Sequence, residues 1–372
     1  MTHTTNELTT RLTQAGITLN EPTLPAPLET PWFVRALQAF SGWLAALFLL
    51  GFIAVGAVFI VESPAASMGL GLAMVGAAFA LLRSARSDVL EHLALAISLA
   101  GQLLIAWALV ELWETSVYPL WTLLGWSLLG LQSVLALIMP SSVHRTFSAF
   151  AASLALYIAL VESAMAPAVG GVVLLALTLL WLNEFRWPGR IRDVQAWGYG
   201  LLIGLLVIQG VAHSGQPLWL DNHGRAEVIG LARWLNATLV VLSLVLLGYS
   251  LQGYSLQGYA LQGYAFTRSK VHWSLYLSPV ALLLVALYVP GVGQGMVVVL
   301  LGFAIGHRVL VGLGVFSLLM GMSSYYYWLD ATLLTKSLTL LIIGALLLAL
   351  RWAVRRWRIA LKPSAKGAAH EE

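Results

Sequence analysis

The sequence predicts an all-α fold, a polytopic membrane helical bundle of about twelve transmembrane helices, on three observations. Apolar residues make up 59% of the 372-residue chain and charged residues only 10%, whereas soluble domains carry about 25% charged residues. The apolar residues fall in runs of roughly 16 to 25, and a helix needs about 20 of them to cross about 30 Å of hydrocarbon. Basic residues gather in every second connection, as they do on the cytoplasmic side of short loops. A water-soluble monomer is excluded by the first two observations. The lack of cysteine excludes disulfides, thiolate metal sites and thiol catalysis.

Residues 1–35 form a cytoplasmic N-terminal segment. Thr4-Thr5-Asn6-Glu7 has capping-box spacing and is followed by Leu8 and Leu12, with a stop at Gly16, so a short amphipathic helix is expected there. Pro22, Pro25, Pro27 and Pro31 then forbid a continuous helix, and the stretch from Asn20 to Pro31 reads as an extended tether. The first apolar run starts late and lacks a basic front and an Ala-x-Ala-like exit, so it is expected to stay as the first span rather than to be cleaved as a signal peptide.

The transmembrane domain occupies residues 36–350. Spans are expected near 37–60, 66–82, 89–110, 118–139, 147–162, 166–183, 195–212, 230–248, 271–289, 293–306, 309–324 and 332–350. With both termini inside, seventeen of the twenty basic residues fall on the cytoplasmic side, the others being Arg225, Arg233 and Lys336. The closely spaced tenth and eleventh spans around His307 and Arg308 also admit a re-entrant pair. At residues 248–265 a pentapeptide repeats, Gly248-Tyr-Ser-Leu-Gln, Gly253-Tyr-Ser-Leu-Gln, Gly258-Tyr-Ala-Leu-Gln, then Gly263-Tyr-Ala-Phe. Its period does not hold the tyrosines on one helical stripe, and it reads as a tandem expansion in a cytoplasmic connection. Residues 351–372 form a basic cytoplasmic tail whose Trp352, Trp357 and arginines suit anionic headgroups.

Charges inside hydrocarbon are the first functional clue, because each costs at least about 2.5 kcal/mol to insert. Two basic side chains qualify. Arg233 has Asn236 one turn away, and Lys336 follows Asp330 on the last span. If they converge, Arg233, Asn236, Asp330 and Lys336 make a cationic pocket for a carboxylate or phosphate, with Tyr326 and its neighbours Tyr325 and Tyr327 as polar company. The alternative is shallow snorkelling beside Glu227 and Asp330.

Other groupings are weaker. Asp88, Glu91 and His92 share a helix face at metal-ligand spacing, but Asp88 and Glu91 also suit a capping box at the mouth of the third span. Glu111 and Glu114, with Glu62 and Glu162, read as a solvated outer rim rather than a catalytic pair. The loop holding His213, Asp221, His223 and Glu227 has no zinc spacing. Gly200-x-x-x-Gly204 and Gly302-x-x-x-Gly306 are packing signals. Pro279 and the Pro290–Gly295 turn mark broken helices of the kind found at transporter sites. No P-loop, nucleophile elbow, His-Glu-x-x-His helix or dinucleotide fingerprint occurs. No catalytic residue, metal ligand or cofactor is therefore assigned, and no nucleic-acid partner is expected.

Three stretches carry a likeness. They are Pro31-Trp32-Phe33-Val34-Arg35, Gly42-Trp43 through Gly51-Phe52, and Tyr325 through Asp330, Lys336 and Ser337 with Gly344 and Arg351. On these the chain resembles the bacterial membrane family called domain of unknown function forty-four-oh-one, over about Pro31 to Arg351. The resemblance implies the bacterial inner membrane as the location. It also implies partners, a second multi-pass membrane protein and a small membrane-anchored or periplasmic protein bearing a Gly-Asp-Tyr-x-x-Leu-x-Tyr motif. Asp330 and Lys336 fall on the family's C-terminal motif, Arg233 lies outside it, and the pentapeptide repeat is no part of it. The function expected first is a non-enzymatic component of a membrane complex, and second a secondary transporter for a small anionic solute. The connection Leu82–Asp88 has arginines without the glycines of the major facilitator motif. A third reading, an intramembrane enzyme for lipid-linked substrates, requires the outer carboxylates to cluster.

Overall fold

A computed structural model describes residues 63–84, 88–186, 188–212, 226–260, 290–328 and 332–338, with scattered positions in 33–51 and 341–352. The expected N-terminal helix and tether, most of the first span, the loop from His213 to Arg225, the span at 271–289, Asp330 and the basic tail lie outside the described residues. The described residues are helical throughout, with turns and no strand. In order they form α1 Pro64–Ser84, α2 Asp88–Glu114, α3 Leu120–Ile138, α4 Ser142–Val161, α5 Val169–Leu182, α6 Ile191–Ala212, α7 Ala226–Ala260, α8 Pro290–Ile305 and α9 Arg308–Trp328. A 3-10 turn, Ala166–Ala168, leads into α5, and two more, Glu184–Arg186 and Pro188–Arg190, lead into α6.

Among the described residues, six helical stretches are long and apolar enough to cross a membrane, Pro64–Ser84, Val89–Glu114, Leu120–Ile138, Ser142–Val161, Pro188–Ala212 and Ala226–Ser250. Three more are apolar but shorter, Ala166–Leu182, Gly291–Ile305 and Arg308–Ser323. Their outer faces are apolar too, with Leu103, Leu137 and Phe303 at 71%, 64% and 70% exposure. Apolar surface spread this widely is a liability in water, and it matches a hydrocarbon solvent.

Local sequence sets the helix ends. Pro64 and Pro290 open α1 and α8 at the position where a missing N–H costs nothing. The Ser63 hydroxyl accepts from the Ala66 N–H at 3.4 Å. Glu162, expected in the outer rim, instead holds the start of α3, its carboxylate accepting from the Thr122 hydroxyl at 2.7 Å and the Thr122 N–H at 3.3 Å. Gly306 adopts φ +76°. The His307 N–H reaches the Gly302 carbonyl at 2.8 Å and the Gly306 N–H the Phe303 carbonyl at 3.3 Å. This pattern closes α8 with a left-handed residue and turns the chain straight into α9. Gly306 of the second glycine pair is thus a turn residue rather than a packing one.

The repeat segment differs from expectation. α7 runs through Ala260 as one helix of 35 residues, so the first repeats continue a span instead of forming an irregular connection. No proline interrupts residues 226–260. A glycine every five residues costs about 1 kcal/mol each, a loss that Leu, Gln and Ala partly offset.

The helices pack as three hairpins, α1 on α2, α3 on α4 and α8 on α9, with α4 against α6 and α5 between α6 and α7. The larger core joins α5, α6, α7 and α8 through Leu174, Leu177, Leu202, Leu205, Val240 and Leu301. A smaller core of Val75, Ile105, Leu135 and Met139 joins α1, α2 and α3. Gly200 and Gly204 bring α6 close to α4, where an added Cβ on Gly200 would stand 2.7 Å from that of Ala149. That pair behaves as the sequence suggests.

Candidate functional site

Uncharged polar residues inside the apolar helices meet across helix boundaries. In α2, Ser98 and Gln102 are four residues apart and share a face, as do His144 and Ser148 in α4. All four are buried, and Gln132 of α3 is buried beside them. Ser98 Oγ lies 2.7 Å from His144 Nε2. The Gln102 Nε2 group donates to Ser98 Oγ at 3.1 Å and stands 3.3 Å from His144 Nε2. Gln132 Nε2 donates to Gln102 Oε1 at 2.8 Å. Ser148 Oγ lies 3.2 Å from His144 Nδ1. The result is one polar chain from α3 through α2 to α4, passing through the His144 imidazole to Ser148. Gln132 Oε1 is buried and has no partner among the described residues.

Charged residues flank this chain at the start of α4. Glu91 accepts from the Ser141 hydroxyl at 2.5 Å, so it bridges α2 to the α3–α4 connection. Arg145 donates through Nε to the Met139 carbonyl at 2.6 Å and forms an ion pair with Asp193 of α6. The expected Asp88, Glu91 and His92 grouping is divided accordingly. Asp88 opens α2, Glu91 is spent on Ser141, and His92 Nδ1 is buried without a partner. Among the described residues, no group of three or more His, Asp or Glu stands close enough to hold a metal.

The other half of the bundle carries shorter polar links. Gln294 of α8 donates to Asn236 Oδ1 of α7 at 3.0 Å. Ser317 of α9 donates to Gln209 Oε1 of α6 at 2.7 Å, and Gln209 Nε2 donates to the Ser317 carbonyl at 3.2 Å. Glycines make room for these amides. A Cβ on Gly171 would stand 2.9 Å from Asn236 Oδ1, and one on Gly170 would meet the Gln294 amide. At the α8–α9 turn, His307 Nε2 lies 2.8 Å from the Tyr199 hydroxyl, and His307 Nδ1 accepts from the Leu310 N–H at 3.3 Å. Trp181 packs on both rings, with centroids 5.7 Å from Tyr199 and 5.4 Å from His307. Gln294 beside Gly170 and His307 beside Trp181 make α8 run parallel to α5.

Of the residues singled out from sequence, Asp330 lies outside the described residues and the others are spread over separate stretches of helix. Asn236 is buried and bonded to Gln294, whereas Arg233, three residues earlier, is exposed on the outer surface of α7. Tyr326 belongs to the last turn of α9. Lys336 is half-buried in a helical stretch at 333–338. Among the described residues, no contact joins Arg233 to Asn236 or to Lys336. The network residues Ser98, Gln102, Gln132, His144 and Ser148 were not singled out in the sequence. The signal available was the pair of four-residue spacings inside otherwise apolar runs.

No curated protein and no solved structure matches the chain. A family model described as domain of unknown function (DUF4401) matches residues 31–357. The match takes in every helix α1 to α9, and the chain belongs to that family.

Proposed function

We propose that this chain is a multi-pass protein of the bacterial inner membrane with about twelve spans and both termini cytoplasmic, serving as a non-enzymatic subunit of a membrane complex. The exposed Arg233 is the observation that carries this reading. It lies seven residues into α7, about 10 Å along the axis, between the exposed apolar side chains Leu231 and Trp234. Charged residues inside spans ordinarily face the bundle interior and pair there. Arg233 faces outward, and among the described residues no carboxylate pairs with it. A neighbouring membrane helix bearing a carboxylate would supply the missing partner. The companions implied by the family resemblance, a second multi-pass protein and a small membrane-anchored or periplasmic protein, are the candidates.

The test is purification of the tagged chain in mild detergent, with mass spectrometry of everything recovered at near-stoichiometric ratio. A recurrent membrane partner that is lost in Arg233→Leu and kept in Arg233→Lys supports the reading. Recovery of the chain alone, or a partner indifferent to both changes, contradicts it.

A second reading, a secondary transporter for a small anionic solute, draws on α8 and α9. α8 has 16 residues, about 24 Å of helix against about 30 Å of hydrocarbon. A short helix carrying Gln294 inward resembles the interrupted helices of transporter sites. Uptake of an anion by reconstituted vesicles, lost in Arg233→Leu or Lys336→Leu, would favour it. Equal uptake by empty vesicles would remove it.

A further inference from the structure

We propose that His144 is a proton-binding site inside the bundle, and that the amides of Gln102 and Gln132 turn over when the proton arrives. The inference rests on the network geometry and does not depend on the partner of Arg233.

The present arrangement fixes the neutral imidazole. Gln132 donates to Gln102 Oε1, which leaves the Gln102 Nε2 hydrogens for Ser98 and for His144 Nε2. His144 Nε2 faces these donors and acts as an acceptor, which puts the ring proton on Nδ1, toward Ser148 Oγ. Protonation adds a hydrogen to Nε2 from bulk water. That N–H can donate to Ser98 Oγ, 2.7 Å away, but it also stands against the Gln102 N–H at 3.3 Å, where two donors repel.

Rotating both amides by a half turn resolves the conflict. Gln102 Oε1 then accepts from His144 Nε2, and the Gln102 N–H group turns to Gln132. The acceptor it needs there is Gln132 Oε1, the buried atom that now has no partner. Each arrangement leaves one atom of the Gln132 amide unpaired, so the two states are matched in satisfied bonds. Ser98 keeps contact in both, because its hydroxyl hydrogen rotates to suit.

The ionisable surroundings are few. α3 and α5 carry no ionisable residue. α2 presents Glu91, bound to Ser141, and His92 near its start, with Asp88 at its first residue and Glu111 and Glu114 at its far end. α6 presents Asp193, paired with Arg145, together with Arg192 and Tyr199. Arg190 stands within electrostatic range of Arg145, and α4 itself adds Tyr157. No carboxylate contacts His144 directly among the described residues, so the new charge is held by amide and hydroxyl oxygens.

The test uses the full-length protein in lipid nanodiscs, labelled with carbon-13 histidine, with the His144 resonance identified by its loss in His144→Gln. Between about pH 4 and about pH 9 the resonance is expected to move between neutral and charged positions, and glutamine side-chain amide signals to move with the same midpoint. Gln132→Glu supplies a carboxylate acceptor at the end of the chain and should raise the midpoint by about one pH unit, a tenfold gain in proton affinity. Gln132→Met removes the acceptor and should lower it by a similar factor. Either variant decides if the other fails to fold. A His144 signal that stays neutral throughout, or a midpoint that the folded Gln132 variant leaves unchanged, overturns the proposal.

Discussion

The two halves of the bundle bury similar polar residues and use them differently. Across α2, α3 and α4, five side chains are linked in series, with an imidazole between Ser98 and Ser148. Across α6, α7, α8 and α9, the deep links join amides and hydroxyls two at a time, Asn236 with Gln294 and Gln209 with Ser317. Glycines 170, 171 and 291 shape the backbone around those couples. A couple of neutral groups has one good arrangement and holds two helices together. A series with an ionisable member and a spare acceptor has a second arrangement open to it under the proposal above. The comparison teaches that burial alone does not distinguish the two halves, whereas connectivity does.

Four changes break or sharpen the contrast. The largest effect is expected from His144→Leu, which removes the ring contacts of Ser98, Gln102 and Ser148 at once. With interhelical bonds in membranes worth about 0.6 to 1.7 kcal/mol each, a loss of about 2 to 3 kcal/mol is expected in reversible unfolding from mixed micelles. Gly171→Val drives a branched side chain into Asn236 Oδ1 and should cost about 1 to 3 kcal/mol, equally at acidic and neutral pH. Gln294→Leu removes one bond and should cost about 1 kcal/mol. Combined with Asn236→Leu it should be less than additive, which a double-mutant cycle measures. The smallest effect is a gain. Ala164 has φ 60° at the end of α4, a conformation that costs a residue with a Cβ about 1 to 2 kcal/mol. Ala164→Gly should therefore raise stability by about 0.5 kcal/mol after the glycine entropy loss, read as a small increase in melting temperature.

Much of the architecture was legible in the sequence because hydrocarbon imposes length and composition. The runs at 66–82, 89–110, 118–139, 147–162 and 195–212 correspond to α1, α2, α3, α4 and α6. α7 was legible at its start and not at its end. Its Gly-Tyr-Ser-Leu-Gln units look like low-complexity linker by composition, yet contain nothing that stops a helix. The polar network was not legible, because Ser, Gln and neutral His are cheap enough in a span to pass as background while charges attract notice. Asn236 drew attention through Arg233, three residues away, but the two face different surroundings. Gln102 and Gln132 come together only through the packing of α2 on α3, and no spacing in the sequence encodes a contact between residues thirty positions apart.

The most direct test is a pair of double-mutant cycles measured below and above the midpoint of the His144 resonance, one between His144 and Gln132 and the other between Asn236 and Gln294. The account predicts a His144–Gln132 coupling that is larger below the midpoint, where the charged ring needs the Gln132 acceptor, and an Asn236–Gln294 coupling that is the same on both sides. Couplings that are both flat with pH, or that change together, would contradict it.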